Sequence, residues 1–218
     1  MRRLAVLIVA IAVLVGCQKE EELKVNTEVV VLNSSDEHII TSNGTNVRFS
    51  SQNPFVASVN STTGQVTGMH VGETFINVLA DEGEVSVRVT VEPRYNVLID
   101  PYINWSATRN DIVNKLGKPY SSSTTQLIYQ YGDANKGDSH IGTSYVLDDK
   151  GFLKNIMVVI NSNNYASVIL HLDERYQAMG NSGTTIVFGD AMNSDDVKMT
   201  VTIGKYSGQY VILYSPRD

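Results

Sequence analysis

Cysteine chemistry in this chain depends on one residue, Cys17, because the sequence contains no second thiol. Arg2 and Arg3 open the chain, and residues 4–15 form an unbroken apolar run that ends just before the Gly-Cys pair. The run is about 12 residues long, whereas a membrane-spanning helix needs roughly 20. The pattern therefore predicts a targeting segment over residues 1–16 rather than a transmembrane helix.

Residues 14–17, Leu-Val-Gly-Cys, resemble the lipobox of a bacterial lipoprotein signal peptide. The resemblance implies diacylglycerol transfer to the Cys17 thiol, cleavage before Cys17 and acylation of the new amine. An acylated Cys17 leaves no thiol for a disulfide, a thiolate metal site or a cysteine nucleophile. An ordinary secretory signal with an incidental cysteine is the alternative.

The composition after cleavage indicates an acidic, globular protein. Removal of residues 1–16 leaves 202 of the 218 residues, which favours one large domain or two small ones. It also takes two arginines from the 17 basic residues, so 15 remain against 23 acidic ones and the net charge is −8. An acidic chain without a basic stripe repels the phosphate backbone, so no nucleic acid partner is expected.

The segment after the cysteine is polar and charged. Residues 18–22, Gln-Lys-Glu-Glu-Glu, have no apolar period, so residues 17–23 are predicted to form a solvated acidic tether. The same five residues resemble the acidic surface-export signal of some Gram-negative outer-membrane lipoproteins. The resemblance implies an outer-membrane anchor with the body of the protein at the cell surface. A plain leash, with the body facing the periplasm, is the alternative.

The remaining polar side chains match no motif for metal binding or catalysis. The four histidines lack ligand spacing and are scattered at His38, His70, His140 and His171. In the loop at residues 133–138, Asp138 stands where a calcium loop has glycine, and Ser144 stands where it has an acid. A solvated hairpin loop that contains Asp138 and His140 is predicted instead. We expect no metal, no cofactor and no enzymatic activity; a hydrolase without a recognisable motif is the alternative.

Aromatic side chains are the other candidates for binding. All 11 tyrosines and the single tryptophan lie from Tyr95 onward. Tyr129 and Tyr131 share one face of a predicted strand, and most tyrosines are expected to pack against a sheet. Exposed tyrosines suit contacts with a protein or a sugar, because they combine apolar area with a polar tip. The predicted interaction residues are Tyr102, Trp105, Tyr120, Tyr145 and Tyr206.

Residues 24–94 predict an all-β sandwich, because short alternating runs recur between turn residues. The clearest run alternates polar residues with four valines, Val85, Val87, Val89 and Val91. Gly64 lies where a tight hairpin needs a positive φ. Residues 50–53, 56–59, 64–68 and 72–76 resemble, in that order, the group 2 bacterial Ig-like domain.

This resemblance implies a rigid spacer or adhesive module on a bacterial surface. Phe49 stands where the family usually carries tryptophan, and the polar residues 33–36 blur the second strand boundary. The family defines no conserved active site, so no site residue carries over to this chain.

Residues 95–218 predict an α+β domain with two helices on one face of an antiparallel sheet. Thr108 and Asp111 form a capping-box pattern before a helix that Gly117 ends. The second helix has Asn163 or Asn164 as its cap and Gly180 as its end, and its apolar stripe contains Tyr165, Ile169, Leu172 and Tyr176. Three strand-like runs follow each helix, at residues 126–131, 143–148, 152–160, 184–188, 197–203 and 209–214. The pattern is a tandem repeat of a helix plus three strands.

Residues 105–119, followed by the run at 126–131, are similar to the helix-then-strand entry of the SmpA/OmlA lipoprotein family. Duplicated, this unit resembles the beta-lactamase-inhibitor-protein fold. The resemblance implies a fold and protein binding, and none of the matched residues is catalytic. The sequence as a whole therefore predicts a lipid-anchored surface binding or adhesion protein with a protein or glycan ligand. A periplasm-facing envelope-assembly accessory is the alternative.

Overall fold

A computed structural model describes residues 21–217; Cys17, the signal segment and residues 18–20 of the tether lie outside the described residues. The strands are β1 Val29–Asn33, β2 Glu37–Ile39, β3 Arg48–Ser51, β4 Ala57–Val59, β5 Gln65–Gly68, β6 Gly72–Ala80, β7 Gly83–Glu92, β8 Ser121–Ser123, β9 Gln126–Gln130, β10 His140–Leu147, β11 Leu153–Ile160, β12 Gln177–Ser182, β13 Thr185–Gly189, β14 Met199–Tyr206 and β15 Gln209–Pro216. The α-helices are α1 Arg109–Leu116 and α2 Tyr165–Asp173. Within residues 21–217, no helix has the length and apolar character that crossing a membrane requires.

The first seven strands form two sheets around one apolar core. The four-stranded sheet has the order β1-β7-β6-β3, and the three-stranded sheet has the order β2-β5-β4. β1 pairs with β7 in parallel, whereas the other neighbours in these sheets are antiparallel. The predicted valine strand is confirmed as β7, in which Val87, Val89 and Val91 are buried. Phe49 is buried in the same core, so the smaller ring keeps the core position.

Gly64 has the positive φ that the predicted hairpin between β4 and β5 requires. Its φ is +72°, and a Cβ atom at this position would collide with the carbonyl oxygen of Ile40. Any other residue here would therefore be strained by its backbone and by its neighbour. The hairpin prediction is confirmed at this position.

The last eight strands form one sheet with the order β12-β13-β14-β15-β11-β10-β9-β8. One row of paired residues crosses its middle and is buried throughout: Leu127, Tyr145, Ile156, Tyr214, Val201 and Phe188. Three helical side chains, Ile112 of α1 and Val168 and Leu172 of α2, belong to the same core cluster. Both helices thus pack on the core formed by this sheet.

The predicted start and end of α1 are confirmed. The Thr108 N–H and hydroxyl donate to the Asp111 carboxylate, and the Asp111 N–H donates to the Thr108 hydroxyl oxygen. These bonds close the capping box and hold the pKa of Asp111 below its ordinary value. Gly117 follows the helix with φ +83°.

Four strands follow each helix, and the sequence-based count of three is wrong. The additional strands, β8 and β12, form the two edges of the sheet. β8 consists of three exposed serines, and β12 has no buried residue. Neither edge strand has an apolar face, so hydrophobic alternation could not reveal it.

α2 is shorter than predicted, and Asn164 is its N-cap residue, as predicted, but without a side-chain capping bond. It ends at Asp173, and Gly180 lies in β12, because residues from Gln177 onward pair with β13 and satisfy their backbone groups there. Asn164 precedes the helix, but its side chain donates to the Gly137 carbonyl instead of capping α2. Tyr176 lies beyond the helix and still packs against Tyr214, with the ring centroids 6.1 Å apart.

A junction of polar contacts at Glu174 joins the first two sheets to the eight-stranded sheet. The buried carboxylate of Glu174 accepts hydrogen bonds from the backbone N–H groups of Arg94 and Tyr95, at 2.8–3.1 Å. The Glu174 carbonyl accepts from the Val71 N–H at 2.7 Å. The guanidinium of Arg94 contacts the carboxylate of Asp36 at 2.5 Å. The predicted division between residues 94 and 95 falls inside this junction.

Candidate functional site

An open groove of about 570 Å³ lies at one end of the eight-stranded sheet, beside the end of α1. Three tyrosines and a rim of charged side chains line it. The lining residues are Lys118, Tyr120, Tyr129, Gln130, Tyr131, Gly132, Asp133, Lys136 and Asp138. The volume falls within the range of about 300–1,000 Å³ that is typical of small-molecule sites.

The turn after α1 places Tyr120 on the groove. Gly117 ends the helix, and its carbonyl accepts a hydrogen bond from the Tyr129 hydroxyl at 3.0 Å. The Tyr120 N–H donates to the Ile128 carbonyl at 2.8 Å, which extends the pairing of β8 with β9. The Tyr120 residue is 76% exposed, so its backbone is fixed while its ring faces solvent.

β9 carries tyrosine rings from the core into the groove. Tyr129 is buried and contacts Tyr145 edge-to-face, with centroids 5.7 Å apart. Tyr131 lies two residues further along the same face, is 39% exposed, and has its ring centroid 4.7 Å from that of His140. Burial raises the pKa of both Tyr129 and Tyr131, so both phenols keep their protons at neutral pH.

The loop at residues 133–138 forms the opposite wall of the groove. Asp133 Oδ1 accepts a hydrogen bond from the Asn135 N–H at 2.9 Å, and Asp138 Oδ2 accepts from the Asp133 N–H at 2.8 Å. These carboxylates order the loop, which contains a short 3₁₀ turn at Ala134–Lys136. Within residues 21–217 no group of three or more His, Cys, Asp and Glu side chains could hold a metal ion.

Two lysines on the groove have exposed ammonium groups. Lys118 follows the C-cap of α1, and Lys136 ends the 3₁₀ turn of the loop. Among residues 21–217, neither lysine forms an ion pair. Both ammonium groups can therefore donate to a ligand, next to carboxylates that each keep one oxygen outside the loop bonds.

Of the five predicted interaction residues, Tyr120 alone lines the groove. Tyr206 is 66% exposed and is the last residue of β14, just before the turn to β15. Tyr102 and Trp105 are half-buried against the core. Tyr145 is only 1% exposed, so the prediction that it is an exposed contact is wrong. Its central position in the sheet buries the ring, and its hydroxyl accepts a hydrogen bond from the Tyr102 N–H at 3.0 Å.

The other groove residues were missed by sequence analysis for a physical reason. Tyr129 and Tyr131 were recognised as sharing a strand face, but alternation does not reveal where a core face opens to solvent. Lys118 and Lys136 are 18 residues apart in the sequence, and they line the same groove only because β9 and β10 pair.

A second polar cluster surrounds Asp100. Asp100 Oδ1 lies 3.0 Å from Arg175 Nε and 3.3 Å from His171 Nε2, and His171 Nδ1 donates to the Tyr95 carbonyl at 3.0 Å. Partial burial opposes ionisation of Asp100, but the contacts with His171 and Arg175 outweigh it and lower the pKa of this carboxyl. These side chains fasten residues 95–100 to α2.

His140 fixes the same segment from the side of the sheet. Its Nδ1 accepts a hydrogen bond from the Ile99 N–H at 3.1 Å, and its Nε2 lies 2.8 Å from the Thr143 hydroxyl. The Nδ1 is therefore the unprotonated nitrogen, and Nε2 donates to Thr143. Burial lowers the pKa of His140 to about 4, so the ring is neutral at physiological pH. The sequence interpretation of His140 as part of a solvated loop is wrong.

The fold and the groove define a mostly β protein in which a β-sandwich precedes a second, larger sheet with a ligand-sized groove. Residues 29–91 match the family model of the bacterial Ig-like domain (group 2), so this part of the chain is a bacterial Ig-like domain. No curated protein matches the chain.

Two solved structures show a distant likeness. Domains 5–6 of the S-layer protein SbsC are 14% identical, with a TM-score of 0.28 over 90% of this chain and 84% of that one. The C-terminal 282-residue fragment of intimin, in complex with the intimin-binding domain of the translocated intimin receptor, is 19% identical with a TM-score of 0.29. That match covers 65% of this chain and 62% of the fragment. TM-scores this low carry no argument about function.

Proposed function

We propose that this chain is a lipid-anchored binding or adhesion protein of the bacterial cell surface, without enzymatic activity. Its Ig-like domain is the spacer, and residues 95–218 carry the ligand site. The anchor at Cys17 and the outer-membrane surface location are supported by the lipobox and by the acidic segment that follows it. The likeness of the second domain to SmpA/OmlA proteins remains a prediction.

The observation that carries the proposal is the groove with its exposed Tyr120. An exposed tyrosine beside the half-exposed Tyr131 offers apolar area and hydroxyl groups on a fixed backbone. Such rings bind a ligand with little loss of conformational entropy, because tyrosine has only two side-chain torsions. The groove therefore suits a binding module.

The use of the polar side chains supports a function without catalysis. Asp100, His171 and Arg175 are the group that most resembles a catalytic cluster, and their contacts hold the backbone of residues 95–100. A catalytic group needs a reacting atom within hydrogen-bond reach. The contacts of these side chains are instead with one another and with the linker, residues 93–100, which follows β7.

Anchoring is tested by the Cys17→Ser variant. We expect this protein to leave the membrane fraction, because each buried acyl CH₂ contributes about 0.8 kcal/mol and stable anchoring takes more than one chain. Wild-type and variant proteins are compared by fractionation of cells and immunoblotting. A Cys17→Ser protein that still sediments with membranes would contradict the lipid anchor.

Surface display is tested by adding protease to intact cells. We expect residues 95–218 to be digested without permeabilisation of the outer membrane, while a periplasmic marker stays intact. Digestion only after permeabilisation would contradict surface display and favour the periplasm-facing accessory.

A further inference from the structure

The groove combines an aromatic surface with a mixed polar rim. Tyr120 and Tyr131 expose ring area, and the face of an aromatic ring carries negative charge density. Polarised C–H groups are attracted to such a face, and a pyranose ring presents a row of them. The ring area thus fits the flat C–H side of a sugar.

The rim supplies donors and acceptors in equal measure. Lys118 and Lys136 only donate, while Asp133 and Asp138 only accept when ionised. Each carboxylate uses one oxygen for the loop backbone and keeps the other for a ligand. Gln130 is exposed and can both donate and accept. A hydroxyl group both donates and accepts hydrogen bonds, so the hydroxyl groups of a polyhydroxylated ligand can find both kinds of partner on this rim.

The charges and the size of the groove restrict the chemical class of its ligand further. Two lysines and two aspartates leave the rim without net charge, which gives no preference for an anion. An apolar lipid or peptide segment would leave these charged groups desolvated and unpaired, at a large cost. The volume of about 570 Å³ is that of a small-ligand site.

We infer that the groove at Tyr120, Tyr131, Lys118 and Lys136 is a binding site for a neutral saccharide. The inference rests on the proposed binding function and narrows its ligand class. The sugar ring stacks on the exposed tyrosines, and its hydroxyl groups bond to the lysines and to the free oxygens of Asp133 and Asp138.

The test uses the full mature chain carrying Cys17→Ser, so that it is handled without lipid. It is applied to immobilised oligosaccharides of neutral hexoses, of N-acetylhexosamines and of uronic acids, and the tightest interaction is then measured by calorimetry. We expect binding to a neutral oligosaccharide and at least a tenfold rise in Kd for Tyr120→Ala. The control is Phe75→Ala, which removes an exposed aromatic ring of β6, outside the groove, and should leave Kd unchanged.

Two outcomes would overturn the inference: no neutral saccharide binds, whether or not the uronic-acid chains do, or Tyr120→Ala binds as well as Phe75→Ala. Adhesion of cells that display the anchored chain separates this failure from failure of the proposed function. If Tyr120→Ala abolishes adhesion although no saccharide binds, the binding function stands and the saccharide is wrong. If no saccharide binds and Tyr120→Ala also leaves adhesion unchanged, the saccharide inference and the proposed binding function of the groove are both wrong.

Discussion

His140 shows at the residue scale how a buried polar side chain fixes an irregular segment. Both of its ring nitrogens are engaged, one by the Ile99 N–H and the other by the Thr143 hydroxyl. Loss of the ring would leave the buried Thr143 hydroxyl and the part-buried Ile99 N–H without their partner, and an unpaired buried polar group costs about 1–3 kcal/mol. The position therefore matters for stability, although it lies next to a surface loop.

We expect His140→Ala to lower the free energy of unfolding by about 2–4 kcal/mol, since it also leaves a cavity. Asp195→Ala, in an exposed turn, is the control and should change it by less than about 0.5 kcal/mol. Urea unfolding of the full mature chain measures both variants. A His140→Ala change as small as the control would mean that the ring is not needed for packing.

The free energy of unfolding should depend on pH partly through the protonation of His140. Its pKa is about 4 in the folded protein and near the ordinary 6.5 when unfolded, so the unfolded chain binds the extra proton. The stabilisation is complete above pH 6.5 and declines as the pH falls toward 4. Burial lowers the pKa of His70 as well, which acts in the same direction. Urea unfolding between pH 7 and 5 should show a smaller decline for His140→Gln than for the wild type; equal declines would contradict the buried neutral ring.

At the scale of single elements, the helices differ in how deeply they pack. Leu172 of α2 is fully buried, whereas Leu116 of α1 is only half-buried and Ile112 fills the core position of that helix. From the sequence, Leu116 lies four residues after Ile112 and Leu172 three after Ile169, so both are predicted to lie on the sheet-facing stripe of their helix. The structure separates them because Leu116 is the last residue of α1, next to the exposed turn that leads to the groove.

We expect Leu172→Ala to lower the free energy of unfolding by about 2–5 kcal/mol, as for a filled core position. Leu116→Ala should cost less than half as much, because solvent can fill part of the space that it leaves. Denaturant unfolding of the two variants compares them directly. Equal losses would show that Leu116 is as deeply packed as Leu172.

The elements that the sequence predicts well are those with strong local patterns. The alternating valines of β7, the capping box of α1 and the hairpin glycine Gly64 each follow from a rule that acts over a few residues. The edge strands β8 and β12 are not predicted, because they carry polar residues. The end of α2 is not predicted, because the pairing of β12 with β13 determines it. The groove depends on residues 118–138 meeting across two strands, which no local pattern encodes.

At the scale of the whole molecule, Glu174 couples the Ig-like domain to the second sheet. One side chain holds two consecutive N–H groups of the linker, and the carbonyl of the same residue holds a loop of the Ig-like domain. These bonds therefore restrict how the second sheet can turn relative to the Ig-like domain.

We expect Glu174→Ala to release the linker and to broaden the range of angles between the two domains. Small-angle scattering of the mature chain should show a larger maximum dimension. The free energy of unfolding should fall by about 1–3 kcal/mol, because two part-buried N–H groups lose their acceptor. Glu73→Ala, on the exposed side of β6, is the control. Scattering curves that match for the two variants would contradict the role of Glu174.

The parallel pairing of β1 with β7 determines how the Ig-like domain meets a pulling force. An anchored chain is held at the N-terminal end of β1, and a ligand held in the second domain pulls on the C-terminal end of β7. Because the strands run in the same direction, these two forces slide one strand along the other instead of peeling them apart. The five residue pairs from Val29↔Arg88 to Asn33↔Glu92 then have to yield together. If the chain is anchored and binds its ligand as proposed, this strand arrangement makes the Ig-like domain resist force along the line between membrane and ligand.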